Sequence, residues 1–376
     1  MTTELKAYSV NVSSKTTWIW FRLLDEHGTE GVGEATLNNR TDQVFSALPE
    51  VVSAISKCPF GLNAKLDAAA SAAPGVVGRV VRSALEQATL DLDAKVRGFP
   101  VYERLGGHFR TEVPCYANIN RGTLSRQPNE FADRAELAIE DGYSAVKLAP
   151  FDDVTPEASD IDTRCRLIEG GIGRVAAVCD RLGARGGVNV DCHSRLRPQE
   201  VGEILGRLAQ FGISWFEEPV RETEAVLHDI TGIRRHAQEL GVTLAGAENA
   251  AGLAEFVPFC SARCYDVIMP DIVLAGGPSE VIRIGHLAAA FDQAVSLHNP
   301  CGPVMDMHSA HVAAALPQLH SLERQFRESE LYDELVDRQH SFSSGGYHMA
   351  ALPGLGLTVD WSHPAVRCVF EAAIDL

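Results

Sequence analysis

Apolar and polar residues alternate through 4–35, in LKAYSVNVSS and then TTWIWFRLLDEHGTEGVGEAT. With the HGTEG turn inside the second run, they predict an antiparallel meander. The spacing becomes helical over 42–57 and 77–97. In the second of these, RSALEQATLDLDAKVRG is expected to bury Leu85, Ala88, Leu90, Leu92 and Val96. The first hundred residues therefore predict a small α+β domain. After Pro114 short strands alternate with helices. Strands are expected at 113–120, 145–150, 187–193, 213–219, 243–248, 267–271, 294–298 and 320–325. Helical stretches such as FADRAELAIEDG and PSEVIRIGHLAAAFD lie between them. Eight strands with intervening helices predict a (β/α)8-type barrel. A doubly wound sheet competes, but no GxGxxG follows an early strand. The stretch from Phe342 to Leu376, with LPGLGLTVD, reads as a return to the first domain.

Composition narrows the function. The chain has 376 residues, 45% hydrophobic and 22% charged, the balance of an ordinary globular protein. It has no apolar run of membrane-spanning length and no secretory signal pattern, so a cytoplasmic protein is expected. Nine cysteines, without paired spacing, read as reduced thiols; Cys260 and Cys264 form a CxxxC with no second pair to complete a zinc site. A net charge of −17 argues against nucleic acid or an anionic membrane as partner. A small anionic substrate remains open if local cations or a metal invert the field. Of six lysines, five lie at or before Lys95, which leaves Lys147 alone in the rest of the chain.

The run GVNVDCHSR, 187–195, is where chemistry first shows. Alternation along a strand would point Asp191, His193 and Arg195 the same way. In barrels of this type, reactive groups sit at the C-terminal strand ends. Strand two ends with Lys147, strand three with Asp191 and His193, and strand four with Glu217 and Glu218. Strand five ends with Glu248 and Asn249, strand six with Asp271 and strand seven with His298, while strand eight carries Glu323. A single acid at such an end is ordinarily solvated or salt-bridged. Carboxylates from three adjacent ends would repel one another without a cation, and Mg²⁺ prefers such oxygen ligands. His298 would neighbour Asp271, and an Asp–His pair suits a general base. Lys147, the sole lysine of the barrel, is expected to contact substrate.

The motifs AVKLA, VDCHSR, WFEEP, GAEN, MPDIVLAGG, HNPCGP and LERQ together resemble the enolase superfamily, mandelate racemase subgroup. Within it they are most similar to acid-sugar dehydratases of the galactonate dehydratase type. That resemblance implies a capping α+β domain (1–112), a modified (β/α)7β barrel (113–341) and a tail (342–376) that rejoins the cap. It implies Asp191, Glu217 and Glu248 as Mg²⁺ ligands and a His298–Asp271 dyad as general base. His193 matches the general acid, Arg195 and Asn249 would bind substrate, and Glu323 would bridge to a carboxyl oxygen. The implied enzyme is a carbon–oxygen lyase acting on a small carboxylate, within a homo-oligomer.

Departures from that pattern also inform. Racemases of the subgroup carry a second strand-two lysine where Ala149 stands, and no strand-six lysine exists. Two-base chemistry through lysine is thus disfavoured. Three other readings remain: an epimerase or cycloisomerase using His298 and His193, a Schiff-base aldolase through Lys147, and a non-enzymatic sensor. Substrate choice is expected from cap loops at 36–43 and 73–82.

Overall fold

The computed structural model describes residues 2–155 and 160–376. β1 (Thr2–Asn11), β2 (Thr17–Leu24) and β3 (Glu30–Glu34) form the expected antiparallel meander, and the C-terminal strand Val366–Asp375 pairs with the outer side of β1. Central β2 buries Trp18, Ile19, Trp20 and Phe21 in succession, so both of its faces are covered. Helices α1 (Thr41–Lys57), α2 (Leu62–Ser71) and α3 (Val76–Arg97) complete the cap.

The face of α3 differs from the expected one. Leu85 and Ala88 are buried, Leu90 and Leu92 only partly, and Val96 is 60% exposed. The helix lies so close to β3 that a Cβ on Gly31 would stand 2.0 Å from Ala88 O. Polar side chains fill the remaining contact: Val32 N–H donates to Asp91 Oδ2 (3.0 Å) and Glu34 N–H to Gln87 Oε1 (3.0 Å). Backbone groups at this sheet margin need partners, and α3 supplies them with carboxylate and amide oxygens. That requirement rotates Val96 outward.

β4 (Glu112–Asn118), β5 (Ala145–Leu148), β6 (Gly187–Asp191), β7 (Trp215–Glu217), β8 (Thr243–Gly246), β9 (Val267–Ile268), β10 (Ala294–Leu297) and β11 (Leu319–Gln325) run parallel in sequence order. β11 pairs back onto β4, so the sheet closes into an eight-stranded barrel. Closure excludes the doubly wound alternative. Tyr116, Trp215, Ala245, Val267 and Met269 fill the interior, with the Tyr116 and Trp215 rings 5.4 Å apart. Most strands stop two or three residues earlier than expected. The chain leaves the ladder through left-handed residues, among them His193 (φ 45°), Glu218 (φ 39°) and Ala247 (φ 71°).

The tail meets the cap from Gly354 onward, whereas its first part does not. Leu355 N–H donates to Asp91 Oδ1 (2.9 Å) and Trp361 Nε1 to Glu30 Oε2 (3.0 Å) before Val366–Asp375 pairs with β1. The hairpin Ser341–Ser343/Gly346–His348 adds antiparallel to Glu112–Pro114 instead. Those residues project below the part of β4 that pairs with β5 and β11, so their backbone groups are free to accept a hairpin. Among the described residues no helix is long and apolar enough to cross a membrane.

Candidate active site

Register builds the centre of the site. Asp191 and Glu217 stand directly opposite one another in the β6–β7 ladder, and Glu248 follows β8 by two residues. All three are buried, and one carboxylate oxygen from each lies within 4.8 Å of the others. Lys147, from β5, reaches Glu217 Oε1 (2.7 Å), Asp191 Oδ2 (3.3 Å) and Glu323 Oε1 (3.4 Å). Burial works against its charge, but Glu217 and Glu323 outweigh burial and hold the Lys147 amine well above the usual lysine range. The ammonium is thus committed to carboxylates. Trp215 Nε1 donates to Glu217 Oε2 (2.9 Å), and Glu323 accepts from Asn118 Nδ2 and from Asn299 N–H (3.2 Å).

One cation does not balance this cluster. Burial and the Asp191 charge push Glu217 well above the carboxylate range. Glu248 Oε2 is buried without a hydrogen bond. Three converging carboxylates, one with an orphaned oxygen, fit a hard divalent cation. The triad can hold a metal.

Two histidines flank the triad. His298 follows β10, and a parallel bridge ties it to Asp271. Its Nδ1 lies 2.9 Å from Asp271 Oδ2, and its Nε2 lies 3.4 Å from Glu248 Oε2. Asp271 is fixed in turn, because Oδ1 accepts from Val273 N–H (2.7 Å) and Leu274 N–H (3.0 Å). Burial opposes charge on His298, yet Glu248 and Asp271 hold it up at about 9.

His193 is placed by different means. The alternation expected beyond Asp191 fails, since β6 ends there and His193 and Ser194 adopt φ of 45° and 58°. Side-chain direction follows a turn, closed by Arg195 N–H to Cys192 O (2.9 Å). The turn still brings His193 Nε2 to 3.0 Å from Asp191 Oδ2. Its Nδ1 meets Asp152 Oδ1 at 2.6 Å, a partner absent from the sequence expectations. The acid pair in PFDD directly after strand two was the signal for it.

Arg195 departs from that line and borders a cavity of about 660 Å³ that His193 and Glu248 also line, together with Glu218, Arg221 and Asn249. Arg195 Nε is buried there without a hydrogen bond, and Asn249 Nδ2 donates to Glu218 Oε1 (3.2 Å). A second cavity, of about 590 Å³, opens between cap and barrel. Lys15, Asn38, Asn39, Asn120, Arg126 and Asp152 are among its lining residues. The 36–43 loop contributes to it, whereas 73–82 does not and the Ser13–Thr16 turn takes that place. Most of 73–82 is not a loop but the start of α3, and Arg82 on it is turned away, onto Glu86 (3.0 Å) and Gly276 O.

Comparison with known proteins agrees with this geometry. The family described as "Enolase C-terminal domain-like" matches residues 130–363, and "Mandelate racemase / muconate lactonizing enzyme, N-terminal domain" matches 4–106. D-xylonate dehydratase of Haloferax volcanii is 26% identical over 354 residues, 91% of this chain and 83% of that protein. D-galactonate dehydratase of Variovorax paradoxus is 27% identical over 355 residues, 91% of this chain and 89% of that one. The solved mandelate racemase/muconate lactonizing enzyme from Jannaschia sp. CCS1 superposes with a TM-score of 0.82 at 22% identity, covering 95% of each chain. With its cap, closed barrel and strand-end carboxylates, the chain belongs to the mandelate racemase and muconate lactonizing enzyme group of the enolase superfamily.

Proposed function

We propose that this protein dehydrates a sugar acid to a 2-keto-3-deoxy acid, with Mg²⁺ as cofactor. The observation that carries the reading is the pair of histidines on two sides of the carboxylate triad, each with its own aspartate. Relatives named as sugar-acid dehydratases support it. A Mg²⁺ ion held by Asp191, Glu217 and Glu248 would supply positive charge to the carboxyl oxygens of the substrate.

The residues of the chain do the rest. His298 takes the proton from C2, and that electron pair moves onto the substrate carboxyl group. Lys147, beside the triad, stabilises the negative charge as it develops. The pair then returns to form C2=C3 as the C3–O bond breaks. His193 gives its proton to the departing oxygen, which leaves as water. The enol product tautomerises to the 2-keto acid. Arg195, Asn249 and Glu323 serve as contacts for the substrate. Residues 1–112 and the strand Val366–Asp375 act as the cap, and the amides facing the cap–barrel cavity suit the hydroxyls of a polyol chain.

A Schiff base on Lys147 fits less well, because that reaction needs a neutral amine and this one is enclosed by three carboxylates. The test is incubation with D-xylonate, D-gluconate and D-galactonate plus Mg²⁺, scoring 2-keto acids as semicarbazones. At least one acid should be turned over, and chelation should abolish turnover reversibly. Loss of C2 stereochemistry in recovered substrate, with no 2-keto acid, would replace the dehydratase reading with an epimerase.

A further inference from the structure

Asp152 belongs to the loop that follows β5, and no motif of the active site contains it. Its Oδ1 lies 2.6 Å from His193 Nδ1. Its Oδ2 is held from behind by Arg126 Nη2 (3.2 Å) and Asn120 Nδ2 (3.4 Å). Arg126 is itself tied to Ala149 O and to Asn120 Oδ1 (3.0 Å), so the carboxylate cannot swing freely. An ionised carboxylate only accepts hydrogen bonds, so Nδ1 donates to Asp152, as Nε2 on the other edge of the ring donates to Asp191. Nε2 is thereby the nitrogen presented to the triad. Asp271 and His298 repeat this arrangement on the opposite side, through the same ring nitrogen. The two sides differ in support, since His193 sits on consecutive left-handed residues that cost backbone energy. Without Asp152 the ring would be left to Asp191 alone, which draws it onto the triad rather than toward a leaving group.

We propose that Asp152 is the positioning residue for C–O cleavage. It fixes the orientation of the His193 ring, and proton abstraction at C2 does not depend on it. The inference rests on the dehydratase reading above and adds a division of labour to it. Loss of Asp152 slows departure of the hydroxyl while His298 continues to remove and return the C2 proton. The enolate then partitions backward, and C2 takes up solvent hydrogen without loss of water.

The experiment follows both events in D₂O with Mg²⁺, using whichever of D-xylonate, D-gluconate or D-galactonate the wild type dehydrates. Deuterium at C2 of recovered substrate is read by NMR and 2-keto acid as semicarbazone. Asp152→Asn should lower dehydration about 100-fold while C2 exchange changes less than about threefold. Asp152→Glu, which keeps the charge, should recover part of the lost dehydration. Asp153→Asn controls for damage to the loop, because Asp153 pairs with Arg174 (2.7 Å) rather than with the site. It should leave the ratio of exchange to dehydration unchanged. Equal loss of exchange and dehydration in Asp152→Asn, or full dehydration by it, overturns the inference and leaves the dehydratase reading standing. A wild type that exchanges C2 yet never forms 2-keto acid overturns both.

Discussion

The two flanks of the triad hold the same chemical pair, a histidine whose Nδ1 meets an aspartate, in two different ways. His298 stands directly after β10, 15% exposed, and a parallel bridge ties it to its aspartate just past the neighbouring β9. His193 stands on a left-handed turn, 35% exposed, with its aspartate on a loop that faces the cap–barrel cavity. The difference suits the two tasks proposed for them. Proton abstraction next to a carboxylate meets the same geometry in every sugar acid of one C2 configuration, and a rigid, enclosed base serves it. Departure of a hydroxyl depends on where the rest of the sugar lies, and His193, which lines the 660 Å³ cavity while Asp152 lines the cap–barrel one, is placed to respond to it.

The largest effect expected from breaking this comparison falls on the enclosed side. Asp271→Asn keeps an oxygen for the Val273 and Leu274 amides, so its effect on stability should stay within about 1 kcal/mol. It removes the acceptor that orients His298, and both C2 exchange and dehydration should fall together by about 10³-fold. A fall in dehydration alone would mean that Asp271 does not serve the base. The Asp152→Asn variant is expected to be milder and to split the two events.

The smallest effect concerns how the enclosed side is held. Glu34, from β3 of the cap, accepts from Gly302 N–H (2.7 Å) and Met305 N–H (2.9 Å), at the start of the helix after His298. Burial pushes its carboxyl up to about 7 despite these bonds. The folded state therefore holds a proton there that the unfolded chain releases near its ordinary value of 4.5. Stability from this group is greatest below that value, declines as pH rises toward 7, and is level above. Glu34→Gln cannot ionise, so wild type should lose up to about 3 kcal/mol relative to the variant across that window, read from denaturant unfolding at each pH. A constant difference between the two proteins would contradict this assignment.

The same contrast explains what the sequence made legible. A closed barrel places consecutive strand ends side by side, so Asp191, Glu217 and Glu248 converge, and Asp271 meets His298, from strand order alone. Strand order carries no such information past the point where a chain leaves the ladder. The direction of His193 depends on two positive φ angles, and alternation misplaces Arg195 for that reason. Asp152 and the Ser13–Thr16 turn reach the site through the docking of loops far apart in sequence, which no periodicity records. In the cap, the helical pattern of α3 predicted its existence and its span. It did not predict that Asp91 and Gln87 would turn inward to serve the backbone of β3, which placed Val96 in solvent.

In the proposed reaction the division of labour is that the two histidines perform separate steps. It is tested most directly by measuring C2 deuterium uptake and 2-keto acid formation in D₂O for His298→Asn and His193→Asn side by side. His298→Asn is expected to do neither, whereas His193→Asn takes up deuterium while its dehydration falls about 10²- to 10⁴-fold. Deuterium uptake that persists in His298→Asn, or that disappears in His193→Asn, would contradict it.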